Sequence, residues 1–494
     1  MREDIIKTKL SKLENLKSFG MDPYPEKTAK SISNGAALEQ FDSLASTEIT
    51  LAGRVRSLRP MGGSAFAHIE DGSGKIQLFL NKKNIPEEKY KLFVNNIEVG
   101  DFVEARGKLF KTKQDEKTLE VTDWKILSKI LRPVPTEYYG MKDQEELLRK
   151  RYLDLLMNPE TKELFRKKNI FWQTIRNFLT TEKFLEVQTS VLEHIPGGAE
   201  AEPFVTHYNA LDGDLYLRIS LELALKRLLV GGYEKVFEIG RVFRNEGMDR
   251  DHLQEYDMME FYASYWDLQK GMEFSEKLYK EIAFQVLDGY EHEYDHVKSA
   301  DTDHVARNYK INWENKFPVV DYFEVFKKET GMDLNQEINI DELHKKATEL
   351  KIKYEKTAGE GRLIDLIYKK TVRPKLIQPC FLIGHPIEVS PLAKKDPKNP
   401  KKVLRFQVVA GGSELCNAFS ELNDPIDQKA RFEAQMKLRE AGDKEAQMLD
   451  EDFVEALEYG MPPAFGFGMS ERFFSFLLNK STRETVIFPA MKTK

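Results

Sequence analysis

The sequence predicts an α+β chain in which a small antiparallel barrel of about five strands precedes a larger region of mixed helices and strands. Two observations carry this. Between about 48 and 128 the texture is one of short alternating segments separated by Gly-rich turns, whereas beyond Arg132-Pro133-Val134-Pro135 helical patterns alternate with strand-like runs. The length, 494 residues, adds a third, since it leaves room for two to four domains at roughly 150 residues each.

The elements follow in order. Ile5, Ile6, Leu10, Leu13, Leu16 and Phe19 recur at helical spacing, and Gly20, Pro23 and Pro25 stop that helix. The strands of the barrel are expected at Ile49–Ala52, Ala65–Ile69, Ile76–Leu80, Phe102–Arg106 and Leu119–Thr122, with turns at 61–64, 71–74, 100–101 and 114–116. The Arg132–Pro135 stretch reads as an extended linker. Helices are expected over 160–182 and 426–458, and strands at Arg241–Phe243 and Val403–Ala410. Residues 270–370 are more polar and helix-rich, as in an insertion. The domain boundaries expected are therefore a helical extension over 1–46, the barrel over 47–130, a linker over 131–150 and the large region over 151–494.

Composition excludes several classes. Apolar residues make up 41% and charged residues 32%, too apolar for a disordered chain, and no run approaches the roughly 18 apolar residues of a membrane span. The charged start Met1-Arg2-Glu3-Asp4 does not read as a secretory signal, and Cys380 and Cys416 suit a reducing cytoplasm. The net charge of -6 argues at first against a nucleic acid. It averages unlike parts: residues 1–150 carry 26 Lys and Arg against 23 Asp and Glu, so the excess of acid lies beyond them.

Two motifs are set aside. His292-Glu293-Tyr294-Asp295-His296 has the H-E-x-x-H spacing of a zinc site on a helix, but its surroundings lack an apolar stripe and it reads as a polar loop or helix end. Gly74-Lys75 ends like a phosphate loop but lacks the first Gly and the final Ser/Thr, so it is a hairpin turn. No zinc is expected.

Three runs carry chemistry. Arg241–Gly247, then His252 and Tyr256–Tyr262, reads as a strand, a polar loop and a second strand, with Arg244 and Glu246 on one face. Arg244 offers a planar fork for phosphate or carboxylate. Gly466–Arg472 reads as a Gly-rich strand that turns into a helix at Arg472. Glu414–Asp424 holds Glu414, Ser420 and Glu421, oxygen ligands of the kind Mg²⁺ accepts, in a strand pair expected to be buried. Buried carboxylates need a cation.

In this order these runs resemble the second and third signature motifs of class II aminoacyl-tRNA synthetases, and with the barrel they resemble the lysyl branch of that family. Ile195-Pro196-Gly197-Gly198-Ala199, Phe243–Gly247, Met258-Met259-Glu260, Glu388–Ala393 and Phe419–Asp424 are the most specific stretches. The resemblance implies an antiparallel sheet flanked by helices, an oligonucleotide-binding (OB) barrel that reads the anticodon, and a homodimer formed through the first motif. It implies ligation of L-lysine to tRNA(Lys) through lysyl-adenylate, with ATP and Mg²⁺. By the same resemblance Arg244 bridges the α-phosphate and the lysine carboxylate, Glu246 and Tyr256 hold adenine, and His252 and Arg472 contact the outer phosphates. Glu260, Glu421 and Tyr262 surround the ε-ammonium, Gly198 and Glu222 the α-amino group, and Asn417 lies on the α-carboxylate side. Arg59, Phe66, Gln77 and Asp123 match anticodon contacts. Glu414 and Glu421 match metal ligands, and Gln407 stands where a glutamate is usual. Ser190, Leu221 and Met469-Ser470 also depart from the family pattern. Two other readings are a paralogue that transfers lysine to a protein, against which the intact barrel speaks, and a catalytically dead regulator, for which Gln407 is the sole sign.

Overall fold

The computed structural model describes residues 2–135, 143–247, 252–296, 307–354, 358–442 and 445–492. The chain divides into two compact units, Met1–Gln144 and Glu145–Lys494.

In the first unit, alternation of apolar and polar residues produces five strands, β1 (Ile49–Met61), β2 (Ser64–Glu70), β3 (Lys75–Asn81), β4 (Phe102–Lys111) and β5 (Lys117–Ser128). They close in the order β1-β2-β3-β5-β4. One contact departs from the antiparallel expectation. β3 and β5 run parallel, because the helix Glu87–Asn96 carries the chain across before β4 begins. That helix plugs the barrel, with Phe93 meeting the Trp124 edge at 4.9 Å between centroids. The N-terminal helix spans Arg2–Ser18, and its Lys9 and Lys12 each reach Glu98 at 3.0 Å.

The second unit is built on a nine-stranded sheet. Towards one edge it holds the expected hairpin, Lys235–Phe243 against Glu255–Ser264, antiparallel with Phe243 opposite Glu255. Glu255–Ser264 pairs next with Ala464–Ser470, which pairs with Asn417–Ser420, which pairs with Arg405–Ala410. Antiparallel pairing thus brings the three motif runs, far apart in sequence, to neighbouring strands. Cys380–Ile383 and Val319–Asp321 extend one side, and Leu185–Glu186 forms the other edge. Helices Pro159–Thr181, Leu268–Leu287 and Arg472–Leu477 cover one face, burying Phe171, Tyr279 and Phe473 completely.

Some expectations change. The 426–458 helix is two, Pro425–Glu440 and Glu451–Glu458, because Gly442 follows the end of the first and the Asp450 carboxylate caps the second by accepting from the Phe453 N–H. The H-E-x-x-H run is neither loop nor helix: Glu291–His296 pairs antiparallel with Arg307–Asn312. His292 there is largely buried beside Trp313, whose indole N–H donates to Nδ1 at 3.3 Å, so it faces aromatic packing.

Candidate active site

The sheet opens onto a cavity of about 350 Å³ lined by Gly198, Glu222, Arg244, Glu246, His252, Tyr256, Glu260, Tyr262, Gln407, Glu414, Asn417 and Arg472 among others. The structure therefore gathers nearly all the site residues expected in the large region. Glu421 lies behind the wall rather than in it.

At one end three carboxylates converge. Glu260, 4% exposed, accepts at one oxygen from the Ser220 hydroxyl (2.7 Å) and the Leu221 N–H (3.0 Å), and at the other from the Tyr262 hydroxyl (2.8 Å). Three donors fix its rotamer and leave lone pairs for a ligand ammonium. Glu222 and Glu421 share a residue absent from the expected set. Lys226, on the helix Glu222–Val230, is fully buried and pairs with Glu222 at 2.5 Å and with Glu421. Burial works against its charge, but the two carboxylates outweigh this and carry its pKa above the ordinary value. Burial likewise pushes Glu222 up to about 7, against the pull of Lys226, and Glu421 well above the carboxylate range. The space is made by glycines. Gly198 sits at φ +84°, and a Cβ there would come within 2.8 Å of the Ser220 hydroxyl oxygen. A Cβ at Gly466 would strike the Glu421 carboxylate and the Tyr262 ring.

Arg244 and Glu246 follow the hairpin strand rather than standing on it: the last paired residue is Phe243, and the Arg244 N–H donates to the Gln254 carbonyl at 2.8 Å. Being clear of the strand, the Arg244 side chain reaches the Ile219 carbonyl (3.3 Å) and stands 5.6 Å from the Tyr256 ring centroid. Burial raises the pKa of Glu246, with Arg244 opposing. Asn417 accepts at Oδ1 from Arg405 (2.7 Å), whose guanidinium also reaches the Val389 carbonyl and Ser390 hydroxyl. Arg472 begins its helix at the cavity wall.

The other end inverts the charge pattern. Burial alone would raise the Glu414 pKa, but Lys369, Arg373, Arg472 and Arg405 bring it down to about 2. Arg373 pairs with it at 3.3 Å, and the Gln407 amide donates to its other oxygen at 3.2 Å. Glu414 and Glu421 thus stand in different charge surroundings. Among the described residues, no group of three or more His, Cys, Asp and Glu is arranged to hold a metal ion.

In the barrel, Arg59 and Phe66 are cross-strand partners, with Arg59 exposed and Phe66 half-buried. Phe66, Phe79 and Phe110 form a row with centroids 4.9 and 5.9 Å apart. Gln77 donates to Glu116 (2.7 Å) and accepts from Thr118 (2.9 Å). The carboxylate beside Gln77 is that of Glu116, which also meets His68 at 2.9 Å, whereas Asp123 pairs with Lys89. Asp123 lies farther along β5, opposite Arg106 of β4, whereas Gln77 lies opposite Thr118 near the start of that strand.

Sequence reasoning also missed Lys226, Arg405, Lys369 and Arg373. Lys226 and Lys369 had a local signal, the i,i+4 spacing from Glu222 and Asp365, which reads equally well as a solvated helix pair.

Comparison with known proteins agrees with this geometry. Residues 143–492 match the family described as tRNA synthetases class II (D, K and N), and residues 49–127 match the OB-fold nucleic acid binding domain. The chain is 42% identical to a lysine–tRNA ligase of Halalkalibacterium halodurans over 99% of its length and 97% of that protein. It is 42% identical to the lysine–tRNA ligase of Moorella thermoacetica and 39% identical to that of Bacillus subtilis, each across 99% of this chain and 98% of the relative. The chain belongs to the class II tRNA synthetases.

Proposed function

We propose that the chain is a lysine–tRNA ligase that activates L-lysine with ATP and passes it to tRNA(Lys). The observation that carries the specificity is the acidic end of the cavity, where Glu260 is held by three donors while Glu222 and Glu421 flank a buried ammonium. A β-carboxylate or side-chain amide would meet Glu260, with the Lys226 ammonium already engaged by Glu222 and Glu421, so the aspartate and asparagine used by sister enzymes are disfavoured. An uncharged analogue would leave the buried Glu260 with its three neutral donors and no cation from the ligand.

Activation joins one oxygen of the lysine carboxylate to the α-phosphorus while the bond to the bridging oxygen breaks, and that electron pair leaves with pyrophosphate. Both reactants are anionic, so the chain's task is positioning and charge stabilisation. Arg244 is the group proposed to span them. Tyr256, 5.6 Å from its guanidinium, would face adenine, with Glu246 accepting from the exocyclic amine. Arg472 and His252 would hold the outer phosphates, and Glu222 with the Gly198 backbone the α-amino group. In the second step the terminal ribose hydroxyl of tRNA attacks the lysyl carbonyl and AMP departs. In the barrel, the Phe66 ring with Arg59, Gln77 and Glu116 would hold an anticodon base.

A homodimer is inferred from the edge of the sheet and the segment that follows it, where Leu185 of the outer strand and Val191 and Leu192 beyond it are 46%, 37% and 48% exposed. Among the described residues no helix is long and apolar enough to cross a membrane, and both cysteines are free and buried, which suits action in the cytoplasm. Charging of tRNA(Lys) with radiolabelled lysine tests the whole reading. Charged tRNA is expected, and lysyl-adenylate formation without charging would favour transfer to another acceptor.

A further inference from the structure

The family's chemistry implies divalent metal around Glu414, and the residues of this chain do not suit one there. A hard cation seeks carboxylate and carbonyl oxygens with free lone pairs. Both Glu414 oxygens already face N–H donors: Oε1 meets Arg373 at 3.3 Å and Oε2 accepts from the Gln407 amide at 3.2 Å. Gln407 is held in that orientation from behind. Its carbonyl accepts from Nε2 of the buried His385 at 3.1 Å, so its amide nitrogen, and not its oxygen, is turned to Glu414.

The cation is built into the fold. The helix Glu360–Thr371 and the turn Arg373–Lys375 place Asp365, Lys369 and Arg373 at successive i,i+4 positions. Lys369 is tied to Asp365 at 2.8 Å, and Arg373 is left for Glu414. A divalent ion bound to Glu414 would stand beside the Arg373 guanidinium and would have to displace two donors from a carboxylate that is only 19% exposed.

We propose that Arg373 is the resident counter-ion of Glu414, that Gln407 locks this pair, and that the chain holds no metal ion of its own between Gln407 and Glu414. The phosphate end then relies on fixed guanidinium groups, with Arg405 and Arg472 both at the cavity wall. This rests on the nucleotide reading of the cavity. A metal that the nucleotide carries between its own phosphates is unaffected by it.

Mn²⁺ titrated into the full-length protein, with bound and free ion separated by electron paramagnetic resonance, tests the proposal. Without nucleotide, no tightly bound Mn²⁺ is expected. With a non-hydrolysable ATP analogue and lysine, a single ion per protomer is expected, the one the nucleotide chelates. The paired variant Arg373→Gln/Gln407→Glu, which restores free carboxylate oxygens, should gain a tight site, with affinity raised roughly tenfold or more. Tight Mn²⁺ in the unaltered protein without nucleotide, or a second ion with it, would overturn the proposal. So would a folded paired variant that gains none. If the analogue brings no ion at all, the nucleotide reading fails, while the count without nucleotide still decides the point. A reading that needs no variant is the dependence of lysine-driven ATP–pyrophosphate exchange on Mg²⁺. The rate should level off once ATP is fully chelated, and a second rise at higher Mg²⁺ would count against the proposal.

Discussion

The two ends of the cavity are charge inversions of one another. At the amino-acid end, acids surround a built-in ammonium, with Glu222 and Glu421 around Lys226. At the phosphate end, bases surround a built-in carboxylate, with Lys369, Arg373, Arg405 and Arg472 around Glu414. In each case the buried ion has the same sign as the ligand group proposed to arrive there. Buried charges need partners whether or not a ligand is present. An internal mimic lets the cavity keep a strongly charged lining in a folded chain without substrate. The barrel differs from both, since its candidate surface is a half-buried row of rings with few fixed charges.

Breaking the acidic end should have the largest effect. Glu421→Gln leaves Lys226 undercompensated and takes a negative charge from behind the wall of the acidic end. Losing one member of a buried charge set costs about 3 kcal/mol, or roughly 100-fold in kcat/KM for lysine, while KM for ATP stays near its starting value. Steady-state exchange kinetics check this, and equal damage to both substrates would mean that the two ends are not separate. Next comes Lys226→Met. It leaves two buried carboxylates without their cation, so a stability loss of about 3 kcal/mol and a lower melting temperature are expected. Unchanged stability would remove the built-in mimic from the account.

Phe66→Ala sharpens the contrast with the barrel. Stacking on one aromatic contributes roughly 1–3 kcal/mol per base, so KM for tRNA should rise while lysine-dependent exchange is unchanged. The smallest effect is expected in acid. The Glu414 pKa is depressed to about 2 from an ordinary 4.5, so its stabilisation is complete above 4.5 and is lost as the pH falls towards 2. Denaturation midpoints followed over that window should fall less steeply in Glu414→Gln than in the parent.

Much of this was legible in the sequence where the signal was local. Alternation in Lys235–Phe243 and Glu255–Ser264 gave the hairpin, and the family motifs pointed to Glu260, Tyr262 and Arg472 in the cavity. What was not legible depends on distant returns of the chain. Arg373 and Lys369 lie in a polar, helix-rich stretch that nothing local ties to Glu414, and the link appears only once Arg405–Ala410 pairs with Cys380–Ile383. The same holds for His292, whose packing partner Trp313 lies beyond the opposite strand of its hairpin. Glu116 depends on the fold in the same way: it lies just before β5, and only the pairing of β3 with β5, Gln77 opposite Thr118, brings it to Gln77.

Lysine-dependent exchange of pyrophosphate into ATP tests the central claim most directly, since it needs the acidic and basic ends in one step. The account predicts exchange that saturates with lysine and none above background with aspartate or asparagine. No exchange with lysine, or equal exchange with aspartate, would contradict it.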